Sequence, residues 1–243
     1  MAKIVLKGAT NVREFGGIEN SVGREILYKK FMRGSELSKL TKEDIDLLRQ
    51  KYNLGKIIDL RNSTEILEKP NQIIPGCEEV NIPLLKASIP GFTGEKDAKL
   101  EKGKTVNPTE IYRSMINDFA IAQIKKIFEI IVNSTCSVMW ISNNGRDRVE
   151  IISYLFLKIL DVSDEEIMKD YLFSNECLKQ GKGLLGGLFG KKQGDPCDAK
   201  EESLQAAIDV FNEKYGSVNN FIEKELGFTK EKKLAFQKKH LIY

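Results

Sequence analysis

Histidine is nearly absent from this chain. One of its 243 residues, His240, is a histidine, and it stands close to the end. Cysteine is scarce and scattered, at Cys77, Cys136, Cys177 and Cys197, with no Cys-x-x-Cys pair. Zinc sites need closely spaced Cys and His ligands, so no metal is expected. Four isolated thiols in a chain of this length fit a reducing compartment better than a disulfide scaffold. Long apolar runs are missing too. Residues Met1 to Lys7 hold three consecutive apolar positions, where a secretory leader needs about 7–15. No segment approaches the ~18–20 apolar residues that cross a bilayer. A cytoplasmic protein without a transmembrane segment is expected; secretion without a visible leader stays open. Charge of one sign is lacking as well, with 38 Lys and Arg against 35 Asp and Glu, a net of +3. So small and even a surplus makes no nucleic-acid footprint. Any anion site must be local.

What is present is the composition of a folded domain, 41% hydrophobic and 30% charged, without repeats. Helix signals alternate with short strand-like runs, the pattern of an α/β domain. Thr41 caps a helix carrying Ile45, Leu48 and Tyr52, which Gly55 is expected to end. Residues 56–61 then read as a buried strand, and Val80 and Ile82 mark another. Residues 86–106 are polar and Lys-rich and read as a lid-like loop. Asn107 caps, Pro108 opens and Glu110 supports one long helix through Ile131. Ser137–Ile141 is a second buried strand, and an apolar helix follows from Val149. Ser163 caps the next helix. Residues 181–198 form a Gly- and Lys-rich excursion, and three helices close the chain, punctuated at Gly216-Ser217 and Gly227-Phe228-Thr229. No linker interrupts residues 1–243, so one domain is expected. Gly181-Lys182-Gly183-Leu184-Leu185-Gly186 satisfies Gly-x-Gly-x-x-Gly, but no strand precedes it, so it predicts no dinucleotide and no cofactor. With Leu188 and Phe189 it reads as a loop, a flap or a membrane-touching patch. Lys230, Lys232, Lys233, Lys238 and Lys239 read as a solvated helix face.

The most informative stretch is Ser142-Asn143-Asn144-Gly145-Arg146-Asp147-Arg148, between the strand and the helix. Such a loop directs successive N–H groups inward, and the helix dipole adds its positive end. Gly145 permits the tight turn and Arg146 adds charge. Arg148 has the planar fork that grips two phosphate oxygens, and Asp147 can hold an arginine or donate a proton. These residues predict a phosphate-binding loop.

That stretch resembles the phosphate loop of the bacterial cysteine-dependent protein-tyrosine phosphatases of the atypical, dual-specificity type that also act on phosphoinositides, whose signature reads His-Cys-x-x-Gly-Lys-Asp-Arg-Thr-Gly. The likeness extends along the chain. Asn11-Val12-Arg13-Glu14-Phe15-Gly16-Gly17 resembles the family's opening Asn-x-Arg-Asp-x-Gly-Gly, and Arg33-Gly34-Ser35-Glu36-Leu37 resembles its Arg-Ser-x-x-Leu segment. Asp59-Leu60-Arg61 with Glu65 is similar to its Asp-Leu-Arg-x-x-x-Glu strand end. Asp170-Tyr171-Leu172-Phe173-Ser174-Asn175 and Tyr215-Gly216-Ser217 are similar to its later helical region. The resemblance implies a phosphatase-like α/β core of four or five mostly parallel strands flanked by helices, with a helical C-terminal part. It also implies Arg148 as phosphate ligand, Asp147 as general acid, and Asp59 and Arg61 as supports behind them.

The departures fall on the chemistry. Ser142 stands at the family's nucleophilic cysteine, Ile141 at its histidine, Val149 at its hydroxyl residue and Glu150 at its glycine. A thiol ionises near pH 8.5, within reach of loop N–H groups, whereas a serine alcohol needs a dedicated base. Val149 cannot assist a leaving group, and Glu150 places a carboxylate near a site meant for a dianion. Cys136 lies about 20 Å away along the strand, in the expected core. The preferred expectation is a phosphatase-like module that binds a phosphorylated protein or a phosphoinositide with impaired turnover. The alternatives are an active phosphomonoester hydrolase and an interaction protein without phosphate binding. No motif speaks to oligomeric state.

Overall fold

A computed structural model of the chain describes residues 2–87, 89, 107–180 and 198–242. Nearly all of the loops expected at 86–106 and 181–198, with the Gly-x-Gly-x-x-Gly stretch and Cys197, lies outside the described residues. In chain order the strands are β1 (Ala2–Lys3), β2 (Arg13–Glu14), β3 (Glu25–Ile26), β4 (Phe31–Gly34), β5 (Leu54–Asp59), β6 (Glu78–Asn81), β7 (Ser137–Ile141) and β8 (Leu241–Ile242). The helices are α1 (Lys42–Gln50), α2 (Ser63–Glu68), α3 (Pro108–Ser114), α4 (Asp118–Asn133), α5 (Asp147–Ile159), α6 (Asp164–Gln180), α7 (Glu201–Tyr215), α8 (Val218–Lys224) and α9 (Lys230–His240).

The main sheet has the order β1-β2-β4-β7-β5-β6. Pairings β4–β7, β7–β5 and β5–β6 are parallel, and β2 joins β1 and β4 antiparallel. The expected mostly parallel α/β sheet is present, with six strands where four or five were expected. The edge strand β1 and its neighbour β2 have two residues each, too few for any alternation to show. Strand β7 lies at the centre and every residue of it is buried, which is why it reads as an unbroken apolar run. On one face Trp140 stacks on Phe15 with centroids 5.0 Å apart and meets Phe156 of α5. On the other, Met139 and Ile141 join Met32, Leu48 and Ile57. Every residue of α5 except Lys158 is buried, so its polar residues must find partners inside the protein.

Local signals placed most ends correctly. Thr41 and Asp44 form a capping box on α1, and Ser217 and Thr229 cap α8 and α9. Gly216 closes α7 in the left-handed region. Three expectations are corrected. Helix α1 ends at Gln50, and Asn53 (φ 48°) takes the left-handed turn. Gly55 instead lies inside β5 at a register shift, where a Cβ would come within 2.6 Å of Cys136 Cβ. Cys136 is thus half-buried at the strand's start, rather than in the core. The long helix expected from Asn107 is two helices, because Asn117 turns its side chain onto Ala120 N and restarts the chain as α4. Among the described residues no helix is long and apolar enough to cross a membrane. The register aligns Gly34, Asp59 and Ile141 at one edge of the sheet, the carboxyl ends of three parallel strands.

Candidate functional site

The chain leaves β7 at this edge through residues 142–146 and enters α5. Ser142 N donates to Gly34 O at 3.4 Å, and Gly145 N turns back to Ser142 O at 3.2 Å. Gly145 has φ +62°, and a Cβ there would lie 2.3 Å from the Gly34 carbonyl carbon and 2.5 Å from Ser35 N. Glycine is therefore required twice, for the backbone angle and for the close approach of β4. Asn11 donates from Nδ2 to Asn144 O at 3.1 Å and Gly145 O at 2.8 Å. Arg33 donates from Nη2 to Gly145 O at 3.2 Å. With these carbonyls occupied, the N–H groups of Asn144, Arg146, Asp147 and Arg148 have no acceptor among the described residues. Four such donors at the start of a 13-residue helix are an arrangement that favours an anion set against them.

Charged side chains flank the loop in pairs. Both Nη atoms of Arg148 donate to Glu65, at 2.5 and 2.6 Å. Glu65 also accepts from Asn62 N at 3.0 Å in the capping box of α2. Behind it, Arg61 donates from Nη2 to Asp59 at 2.7 Å and from Nη1 to Lys69 O at 2.8 Å, fixing the exit of β5 from which α2 starts. Lys69 Nζ reaches Asn143 Oδ1 at 3.5 Å. Arg146 holds Asp147 in two-pronged fashion at 2.9 and 3.0 Å. Burial opposes the charge of Arg146, but Asp147 holds its basicity above the ordinary value.

Asp147 also meets Tyr112 OH at 2.8 Å, and Tyr112 OH lies 2.8 Å from Tyr171 OH. A carboxylate can only accept, so Tyr112 donates to Asp147 and Tyr171 donates to Tyr112. Burial, then the Asp147 charge, push both phenols up, which keeps these donors protonated.

The departures at 141, 142, 149 and 150 take definite places. Ser142 is 2% exposed at the base of the loop, while Ile141 and Val149 are fully buried. His240 packs against Phe31 and Phe236, at the opposite end of β4 from the loop, so it offers Ser142 no base. Glu150 was expected to burden the anion site. Its carboxylate is instead engaged by Arg33 at 2.5 Å. Sequence reasoning missed Tyr112 and Tyr171 as partners of Asp147 and Glu65 as the partner of Arg148. Glu65 stood in the Asp-Leu-Arg-x-x-x-Glu resemblance and at capping-box spacing from Asn62, but neither signal pointed to Arg148. Among the described residues no group of three or more metal-ligating side chains comes together.

A family model for the tyrosine phosphatase family matches residues 4–242. No curated protein matches the chain.

Proposed function

The chain belongs to the tyrosine phosphatase family, and on that premise we propose that it captures phosphorylated ligands in loop 142–148 with little or no hydrolysis. Phosphate-ester binding or hydrolysis is the business of the family. The finer reading rests on one observation: a serine stands at the strand end where the resemblance puts the nucleophile, and no imidazole is near it. In this reading the four free N–H groups and Arg148 bind the three terminal phosphate oxygens. Arg146 is neutralised by Asp147 and contributes mainly to loop shape. Asp147, at the position of the general acid, retains its place but lacks a thiolate reaction to serve. A trace of hydrolysis by a loop-bound water is the most that Asp147 can assist.

The motifs at residues 11–17, 33–37 and 59–65 support the atypical dual-specificity branch, which makes a phosphorylated protein or a phosphoinositide the ligand. The family match over residues 4–242 supports one phosphatase-like domain over 1–243. Calorimetry with inorganic phosphate tests the binding half. The unaltered chain should bind it and Arg148→Lys should not, because an ammonium cannot reproduce the planar fork. Equal binding by both removes Arg148 from the site.

A further inference from the structure

Beneath the loop lies a charge cluster that phosphate binding does not account for. Arg13, Arg33, Glu150 and Asp170 are each fully buried. Arg13 donates from Nε to Asp170 at 2.7 Å and from Nη2 to Ser174 at 3.1 Å. Arg33 Nη1 is shared between Glu150 at 2.5 Å and Asp170 at 2.6 Å. Its Nη2 turns to the carbonyls of Gly145 and Arg146, at 3.2 and 3.5 Å. Those carbonyls belong to the peptide units whose N–H groups are those of Arg146 and Asp147, two of the four free donors. A cation on a peptide oxygen polarises its N–H. Arg33 therefore connects Glu150 directly to the anion-facing side of the loop. Two atoms of the cluster, Glu150 Oε1 and Arg33 Nε, have no hydrogen-bond partner among the described residues.

We propose that Glu150 couples the loop's hold on a dianion to pH, its protonation releasing Arg33 to the loop carbonyls and tightening anion binding. The inference rests on the reading of loop 142–148 as an anion site. With Glu150 ionised, two arginines face two carboxylates and the cluster is neutral. When Glu150 takes a proton from solvent, the cluster gains one positive charge, and Arg33 keeps Asp170 as its single ionic partner. The groups facing Glu150 are Arg13 on β2, Arg33 on β4, and Asp170 with the Tyr171 phenol on α6. Cys177 on α6 also senses Arg13 and Arg33 and is raised by burial. Burial pushes the Glu150 carboxyl up to about 7, against the pull of Arg33. His240 is pushed down by burial to about 4 and does not compete in that range. By reciprocity a dianion in the loop must favour the protonated carboxyl, so anion and proton bind together.

The test uses sulfate, which stays a dianion from pH 6 to 8, followed by calorimetry on the full chain and on Glu150→Gln. The unaltered chain should bind sulfate several-fold more tightly at pH 6 than at pH 8, about tenfold for each unit by which the anion raises the carboxyl. Glu150→Gln should bind equally at both pH values, at the acid-side level. Titration of the unaltered chain in two buffers of different protonation enthalpy should also show proton uptake, which needs no variant to fold. Sulfate binding that is independent of pH, without proton uptake, overturns the coupling and leaves the anion site standing. No sulfate binding at either pH, by either protein, overturns both.

Discussion

Arg148 and Glu65, 83 positions apart, form a two-pronged ion pair with both side chains at most 4% exposed. Glu65 does this from the first turn of α2, where it also closes the capping box with Asn62. One carboxylate thus ties the helix that follows β5 to the helix that follows β7. Its removal strands a buried guanidinium. Glu65→Gln should cost about 3–5 kcal/mol of stability, read from urea unfolding, and should weaken phosphate binding. A loss under about 1 kcal/mol would mean that the pair behaves like an exposed one.

Gly145 is the hinge of the loop. A left-handed angle costs a non-glycine residue about 1–2 kcal/mol. The Cβ of an alanine would also meet the backbone of Gly34 and Ser35, which cannot swing aside as a side chain can. Gly145→Ala should lose at least about 2 kcal/mol and abolish phosphate binding. Retained binding at full stability would place the turn elsewhere.

The hydroxyl chain from Tyr171 through Tyr112 to Asp147 has a direction, and the direction predicts an order. Tyr112→Phe removes a donor from Asp147 and leaves the Tyr171 hydroxyl without its acceptor, at about 1–3 kcal/mol. Tyr171→Phe removes the terminal donor alone, at about 0.5–1.5 kcal/mol. Chemical denaturation of the two variants should give that ranking; the reverse ranking would invert the chain.

His240 bears on acid stability. It is 1% exposed, and neither ring nitrogen has a hydrogen-bond partner among the described residues. Burial, with Lys239 and Lys30 adding, lowers it from 6.5 to about 4. Between these values the unfolded chain binds more protons than the folded one, so this contribution is lost as pH falls from 6.5 toward 4. At about 1.4 kcal/mol per unit the loss is at most about 3.5 kcal/mol. Glu150 works in the opposite sense, since its folded value is raised from 4.5 to about 7, and its contribution declines as pH rises through that window. Unfolding free energies of His240→Phe should fall less on acidification than those of the unaltered chain. Identical pH profiles would show that the ring is wet and free to charge.

The legible part of this molecule was its local part. The strand Ser137–Ile141, the loop with its glycine and the caps at Thr41, Ser163, Ser217 and Thr229 each depend on residues within a few positions of themselves. Spacing and residue type expose them. The break between α3 and α4 escaped notice because Ile111, Met115 and Phe119 keep helical spacing across it, and Asn117 looks like an ordinary polar position. The charge pairs were illegible for another reason. Arg148 finds Glu65 and Glu150 finds Arg33 through the register of β4, β5 and β7, which a single sequence does not display. Glu150 is the clearest case. Read alone it repels an anion, whereas in the fold it answers an arginine.

On the proposed reading the loop binds phosphate and lacks the means to transfer it. Ile141 is buried among apolar neighbours, so Ser142→Cys alone is the clean substitution; a thiol at a helix N-terminus ionises more readily than in water. The measurement is para-nitrophenyl phosphate turnover by the unaltered chain, Ser142→Ala and Ser142→Cys, with phosphate binding followed by calorimetry on each. The unaltered chain should bind phosphate with turnover no greater than that of Ser142→Ala, and Ser142→Cys should gain turnover. Turnover by the unaltered chain that matches Ser142→Cys and vanishes in Ser142→Ala would make Ser142 a working nucleophile and the protein an active phosphatase.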